Sequence, residues 1–302
     1  MTEPETTRCG FIALIGAPNA GKSTLINALV GAKVTIVSHK VQTTRTVLRG
    51  IAIDGDAQLV FVDTPGIFQP KRRLDRAMIA TAWAGAHDAD IVGVLLDAKR
   101  GIDEEASALI DRLAGVRRPK LLLINKVDLV DKPVLLALAQ AANARAALQA
   151  TFMISALTGD GVPDLKSYLA DAVPKGPWLY PEDQLTDAPL RQAAAEITRE
   201  KLFLRLHDEL PYSLTVETET WKELADGSVR IEQTIYVMRD SQKKIVLGAH
   251  GATIKEISMA ARKEIGEMID AAVHLFLFVK VRERWGEDPE RYREMGLDYP
   301  KE

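Results

Sequence analysis

The chain has 302 residues, 47% of them hydrophobic and 27% charged, with a formal net charge of −3. That length asks for two domains, and the composition fits a soluble protein with a real core. No run of about 18 apolar residues occurs, which excludes a membrane-spanning helix; a lone cysteine, Cys9, excludes an internal disulfide framework and fits a reducing compartment.

The first residues, 1–8, are polar and contain no apolar stretch. They are neither a secretory signal nor an arginine-rich transit peptide, so a flexible tail on a cytoplasmic protein is expected. Residues 11–15 then read as a buried strand and 23–29 as a helix. The connection between them is Gly16-Ala17-Pro18-Asn19-Ala20-Gly21-Lys22-Ser23, followed by Thr24. A Gly-x-x-x-x-Gly-Lys-Ser loop between a strand and a helix is a phosphate-binding loop. Its glycines let consecutive N–H groups face phosphate oxygens, and the helix N-terminus adds positive potential. Lys22 reaches the β- and γ-phosphates and the Ser23 hydroxyl ligates Mg2+.

The next strand, 59–62, runs into Asp63-Thr64-Pro65-Gly66 and then Ile67. There an aspartate can hold the magnesium hydration shell, and Gly66 can approach the γ-phosphate through its N–H. Strands at 91–96 and 121–124 follow, the second ending at Asn125-Lys126-Val127-Asp128. The Asp128 carboxylate can accept from guanine N1–H and its exocyclic amine, a donor pair that adenine lacks, while the Lys126 stem lies against the base. After a helix at 133–148 and a strand at 152–154 comes Ser155-Ala156-Leu157, a weak signal alone, which offers a backbone N–H to the guanine oxygen. Motifs at the ends of successive strands are where an open α/β sheet binds its ligand. The ligands expected are GTP and GDP.

Three prolines and a glycine within 174–181 mark a linker. The expected division is a GTPase domain at 9–175, a linker at 176–188, a second domain at 189–285 and a C-terminal helix or tail at 286–302. In the second domain a helix over 189–210 precedes strands at 213–218 and 229–237, with Asp226-Gly227 as a turn signal. Helical patterns then flank Gly248-Ala249-His250-Gly251, and 273–279 closes as a strand. The fold class expected is an α/β P-loop domain with a mostly parallel sheet and helices on both faces, then a smaller α+β domain of order α-β-β-α-α-β.

The nucleotide motifs resemble those of the Era-like GTPases, a bacterial family related to translation factors. The resemblance places the first switch at Thr43-Thr44-Arg45, with Thr44 as magnesium ligand and Thr43 as the alternative register. It also implies that Asn19 could ligate K+ in place of an arginine finger; otherwise Asn19 serves only the loop turn. Ile67 stands where Ras-like proteins carry a water-orienting glutamine. No side-chain base is identified, and slow intrinsic hydrolysis is expected.

The Gly-x-x-Gly loop and the element order around it look like a KH domain of the bacterial type (type II), whose loop clamps about four nucleotides. Lys243, Lys244, Gly248, Ala249, His250, Gly251, Ile254 and Lys255 are its candidate RNA contacts. From Glu182 onward 18 lysines and arginines face 24 aspartates and glutamates, so a local basic groove, not general polyanion adhesion, carries the binding. DNA is not an expected partner, and no strongly basic amphipathic helix argues for a membrane surface. The family resemblance implies small-subunit assembly, binding of the 3′ end of 16S rRNA, and gating of RNA access by GTP. Competing readings are a metabolic P-loop kinase, opposed by Asp128, and a GTP-dependent scaffold that binds no RNA.

Overall fold

Apolar runs without alternation need cover on both faces, and a parallel sheet between helices supplies it. The computed structural model describes residues 7–37, 48–70, 72–283, 288, 289, 292 and 297–299. The chain forms two units, Met1–Asp187 with Tyr292–Glu302, and Ala188–Arg291. In the first, β1 (Arg8–Gly16), β2 (Leu48–Asp54), β3 (Ala57–Asp63), β4 (Ile91–Asp97), β5 (Lys120–Asn125) and β6 (Ala150–Ile154) lie in the order β2-β3-β1-β4-β5-β6. All neighbours are parallel except β2, which pairs antiparallel with β3. The expected set of strands lacks β2: Arg49 and Gly50 interrupt its apolar run, and pairing with β3 overrides that weak local signal.

Helices α1 (Lys22–Val30), α2 (Arg73–Asp88), α3 (Glu104–Arg112), α4 (Lys132–Asn143) and α5 (Val162–Ala172) cover the sheet. One core joins Ile12, Leu25, Phe61 and Leu165. Others join Leu96, Ile110, Leu122 and Leu135, and Ile15, Trp83, Val92 and Leu113. The helix expected over 133–148 ends at Asn143, because residues 144–149 turn back to start β6, Gln149 N–H donating to Lys120 O at 2.8 Å. Cys9 is buried beside Gln58, and burial pushes its thiol pKa up. Among the described residues no helix is long and apolar enough to cross a membrane.

The proline-rich stretch is bound to the first unit along most of its length. Gln58 Oε1 accepts from Leu179 N (2.9 Å) and Tyr180 N (3.0 Å), while its Nε2 donates to Tyr180 O (2.8 Å). Trp178 Nε1 donates to Asp56 O at 3.0 Å. Further on, Thr186 bridges Gly50, Ile51 N donates to Leu185 O (2.8 Å), and Asp187 takes Arg49 Nη1 at 2.6 Å. Residues 176–187 therefore extend the first unit, and the second begins at Ala188.

The second unit runs α6 (Leu190–Arg205), β7 (Leu214–Glu223), β8 (Val229–Val237), α7 (Asp240–Leu247), α8 (Ala252–Ile269) and β9 (Val273–Val281). This is the α-β-β-α-α-β order of the sequence reading. The sheet is β7-β8-β9, antiparallel then parallel, and α6 and α8 bury one face of it through Leu202, Ile235 and Ile257, and through Ile197, Ile231, Ala261 and Ile265. Beyond Arg291 the chain returns to the first unit. Tyr292, Leu297 and Tyr299 pack with Leu74, Ala77 and Met78 of α2, so the stretch read as one C-terminal piece, 286–302, is divided between the units.

Candidate nucleotide site and RNA-binding loop

Parallel order brings the carboxyl ends of β1, β3, β4, β5 and β6 to one edge, and every nucleotide motif of the sequence that is described lies there. Between β1 and α1 the phosphate loop wraps around the Lys22 ammonium, which donates to Gly16 O and Ala17 O at 3.0 Å each. Burial pushes the Lys22 pKa down to about 8, with Asp63 opposing the fall. Ser23 Oγ donates to Asp63 Oδ2 at 3.1 Å. Two oxygen donors thus converge beside the lysine, a set that fits a hard divalent cation such as magnesium.

The Asp63–Gly66 loop is folded onto the phosphate loop. Ile67 N–H donates to Gly16 O at 3.0 Å. At Gly66 an added Cβ would lie 3.0 Å from Pro18 Cα, so any larger residue would force the two loops apart by a few tenths of an ångström. Thr64 turns away from the site, its hydroxyl donating to Leu14 O at 2.5 Å. The side chain of Ile67 is likewise directed inward, packing with Ile79 against the cluster around Trp83. Thr43 and Thr44 lie outside the described residues.

The base-reading motif is organised by Asn125. Its Nδ2 donates to Ala20 O (2.8 Å) and its Oδ1 accepts from Ala156 N (2.9 Å), which ties the phosphate loop to the last loop of the site. Asn125 therefore works as a brace. Ala156 N–H is spent on that brace and Ser155 N–H donates to Asp160 O, so Leu157 carries the backbone N–H of the triplet that has no acceptor among the described residues. Lys126, at φ 65°, extends its ammonium to Asn19 O (2.7 Å) and Asp97 Oδ2 (2.6 Å). Asp128 is exposed, in a short 3-10 turn.

Asp97 is a site residue that the sequence reading missed. It ends β4, directly beside Asn125 in the sheet register, and its other oxygen accepts from Lys99 N and Arg100 N. The available signal was its place: β4 ends in a polar motif position as its neighbours do.

In the second unit Gly248 leaves α7 at φ 74°, ψ 175°, and a Cβ there would meet Thr253 Oγ1 at 2.2 Å. His250 (φ 51°) and Gly251 (φ 78°) keep the loop left-handed up to the start of α8, which has no side-chain cap. Ala249, His250, Lys244 and Lys255 are exposed and Lys243 is half-buried. Ile254 differs from the other candidates: it packs partly against the core with Leu247.

These two sites and folds define a P-loop, guanine-nucleotide-binding GTPase that carries a KH domain. The comparisons agree. A family model described as a 50S ribosome-binding GTPase matches residues 11–126, and one described as a KH domain matches 209–286. GTPase Era of Afipia carboxidovorans is 69% identical over 296 residues, covering 98% of this chain and 96% of the relative. GTPase Era of Bradyrhizobium diazoefficiens is 68% identical over 299 residues, 99% of this chain and 97% of the relative. Among solved structures, a variant of Aquifex aeolicus Era bound to GDP·AlF4− superposes with a TM-score of 0.91 at 34% identity, covering 96% of this chain and 99% of that one. Era in complex with MgGDPNP and nucleotides 1506–1542 of 16S ribosomal RNA gives 0.91 at 35% identity, with the same coverage. The chain belongs to the Era family of GTPases.

Proposed function

We propose that this GTPase binds the 3′ end of 16S rRNA through its KH unit and acts as a nucleotide-gated switch in assembly of the small ribosomal subunit. The observation that carries the reading is the match, over 96% of the chain, to an Era structure holding MgGDPNP and 16S rRNA nucleotides 1506–1542. The Gly248–Gly251 loop, with Ala249 and His250 exposed and Gly248, His250 and Gly251 at positive φ, supplies with its flanking lysines a chemistry that suits such a ligand.

On the nucleotide side, Lys22 neutralises the phosphates and Asp128 reads guanine. Ser23, and Thr44 or Thr43 by family resemblance, would hold Mg2+, which when bound offsets charge on the β- and γ-phosphates. The packing of Gly66 against Pro18 supports an approach of the Gly66 amide to the γ-phosphate. Turnover is slow, because Ile67 is apolar and packed inward and cannot orient water. Asn19 is the residue through which K+ would accelerate it. Replacing Na+ by K+ then raises the hydrolysis rate in the natural chain and not in Asn19→Ala; equal rates in both salts would remove the potassium step.

The reading is tested by binding a labelled single-stranded RNA of the rRNA 3′ end in the presence of a GTP analogue, GDP or no nucleotide. Sequence-selective binding that is tighter with the GTP analogue is expected. Binding of equal strength in all three conditions would remove the gating, and no binding in any of them would remove the RNA target.

A further inference from the structure

The KH unit has its two ends, Ala188 and Arg291, joined directly to residues that the first unit holds fast. The outgoing end is fixed to the sheet. Asp187 accepts from both Arg49 N (2.9 Å) and Arg49 Nη1 (2.6 Å), and the preceding residues pair with β2. The returning end is fixed elsewhere. Tyr292, the first residue after the unit, is 1% exposed and packs with Ala77 and Met78 of α2. Tyr299 stacks edge-on against Tyr292 with ring centroids 4.9 Å apart, and Arg73 both lies over its ring, 5.3 Å from the centroid, and donates to its hydroxyl. Leu297 completes the grip, its N–H donating to Tyr292 O at 2.7 Å.

Helix α2 is the element that follows the second switch. At 100° per residue, Leu74, Ala77 and Met78 face one side of it, and Ile79, Trp83 and Ala86 face the other. That second side packs with Ile67, the residue directly after Gly66. One face of α2 thus touches the loop that senses the γ-phosphate, while the other is gripped by the segment on which the KH unit ends.

We propose that Tyr292, Leu297 and Tyr299 form an aromatic clasp that positions α2, and that through this clasp the second switch and the RNA-binding unit sense each other. The outgoing anchor on β2 is a fixed point, because it rests on a sheet strand; the clasp is the movable one. A shift of α2 when Gly66 takes or releases the γ-phosphate moves one end of the KH unit and not the other. The clasp residues act through α2 and are positioning residues. The inference rests on the proposed nucleotide gating of RNA affinity and names the part that carries it.

The test compares the full-length natural chain with Tyr299→Ala, Tyr299→Phe and Tyr292→Ala. The ratio of RNA affinities with a GTP analogue and with GDP is measured, together with GDP affinity and hydrogen exchange of α2. RNA binding is expected to slow exchange over Leu74–Met78 in the natural chain; Tyr299→Ala is expected to abolish that slowing and to reduce the ratio at least fivefold while changing GDP affinity less than twofold. Tyr299→Phe keeps the ring and retains most of the ratio. Should Tyr292→Ala unfold, Tyr299 at the rim of the cluster still decides the matter. A ratio and an exchange response that persist in Tyr299→Ala overturn the clasp and leave the gating intact. A natural chain whose RNA affinity ignores the nucleotide overturns both.

Discussion

At the residue scale, the Lys22 ammonium combines burial with two carbonyl partners and a pKa pushed down to about 8. A polyphosphate beside it favours the charged form, so the pKa rises again on binding. Below pH 8 the lysine is charged in both states and affinity does not depend on its titration. Above pH 8 the free site loses the proton and binding must take one up, so GTP affinity falls by up to tenfold per pH unit. Calorimetry in buffers of different ionisation enthalpy reads that proton directly, and absence of uptake at pH 9 would contradict the assignment. Asp97 makes a second case. Asp97→Asn weakens the hold on Lys126 and, with it, the tie to Asn19 O; a loss of GDP affinity on the order of tenfold, about 1.4 kcal/mol, is expected. An unchanged affinity in equilibrium titration would make the pair incidental. Asp97 was hard to read in the sequence because its partner is Lys126, 29 residues away, and only the β4–β5 register brings them together. Lys22 was easy, since a loop, a helix start and a lysine at fixed spacing specify its role locally.

Among the elements, the Gly248–Gly251 loop is the most constrained. Replacing both glycines with Asp puts side chains on residues at φ 74° and 78° and drives one into Thr253. Strain of about 1–2 kcal/mol per residue and two added negative charges should abolish RNA binding while GTP affinity, set in the other unit, stays the same. A filter-binding titration showing RNA retained would refute the RNA contact proposed for this loop. Elements with their own periodicity were legible: the parallel strands, α1 and the whole α-β-β-α-α-β series. Missed elements owe their form to distant partners. β2 exists because β3 offers it an edge, and Gln58, an unremarkable polar residue in sequence, gathers the proline-rich stretch with three hydrogen bonds. Composition there signalled a free connection; the partner that ties it down lies about 120 residues earlier.

For the molecule as a whole, two units with separate cores predict two responses to ligands. A nucleotide at about 100 times its dissociation constant adds about 2.7 kcal/mol to whichever unit binds it. Differential scanning calorimetry should therefore show GDP with magnesium raising one transition by several degrees and leaving the other in place. A uniform shift of a single transition would mean that the units unfold together. The mixed charge of the second unit fits this division: under the proposed function, RNA affinity would rest on the lysines around one loop and not on the net field.

The pairing of residues 185–187 with β2 also governs how the molecule can be cut. A GTPase fragment ended at residue 175, where the composition invites it, would bare the Arg49–Ile51 backbone on a sheet edge. Unpaired edges of this kind recruit strands from other molecules. Such a fragment should self-associate, while one ended at Asp187 carries its own edge cover and stays better dispersed; light scattering of the two side by side would show the difference.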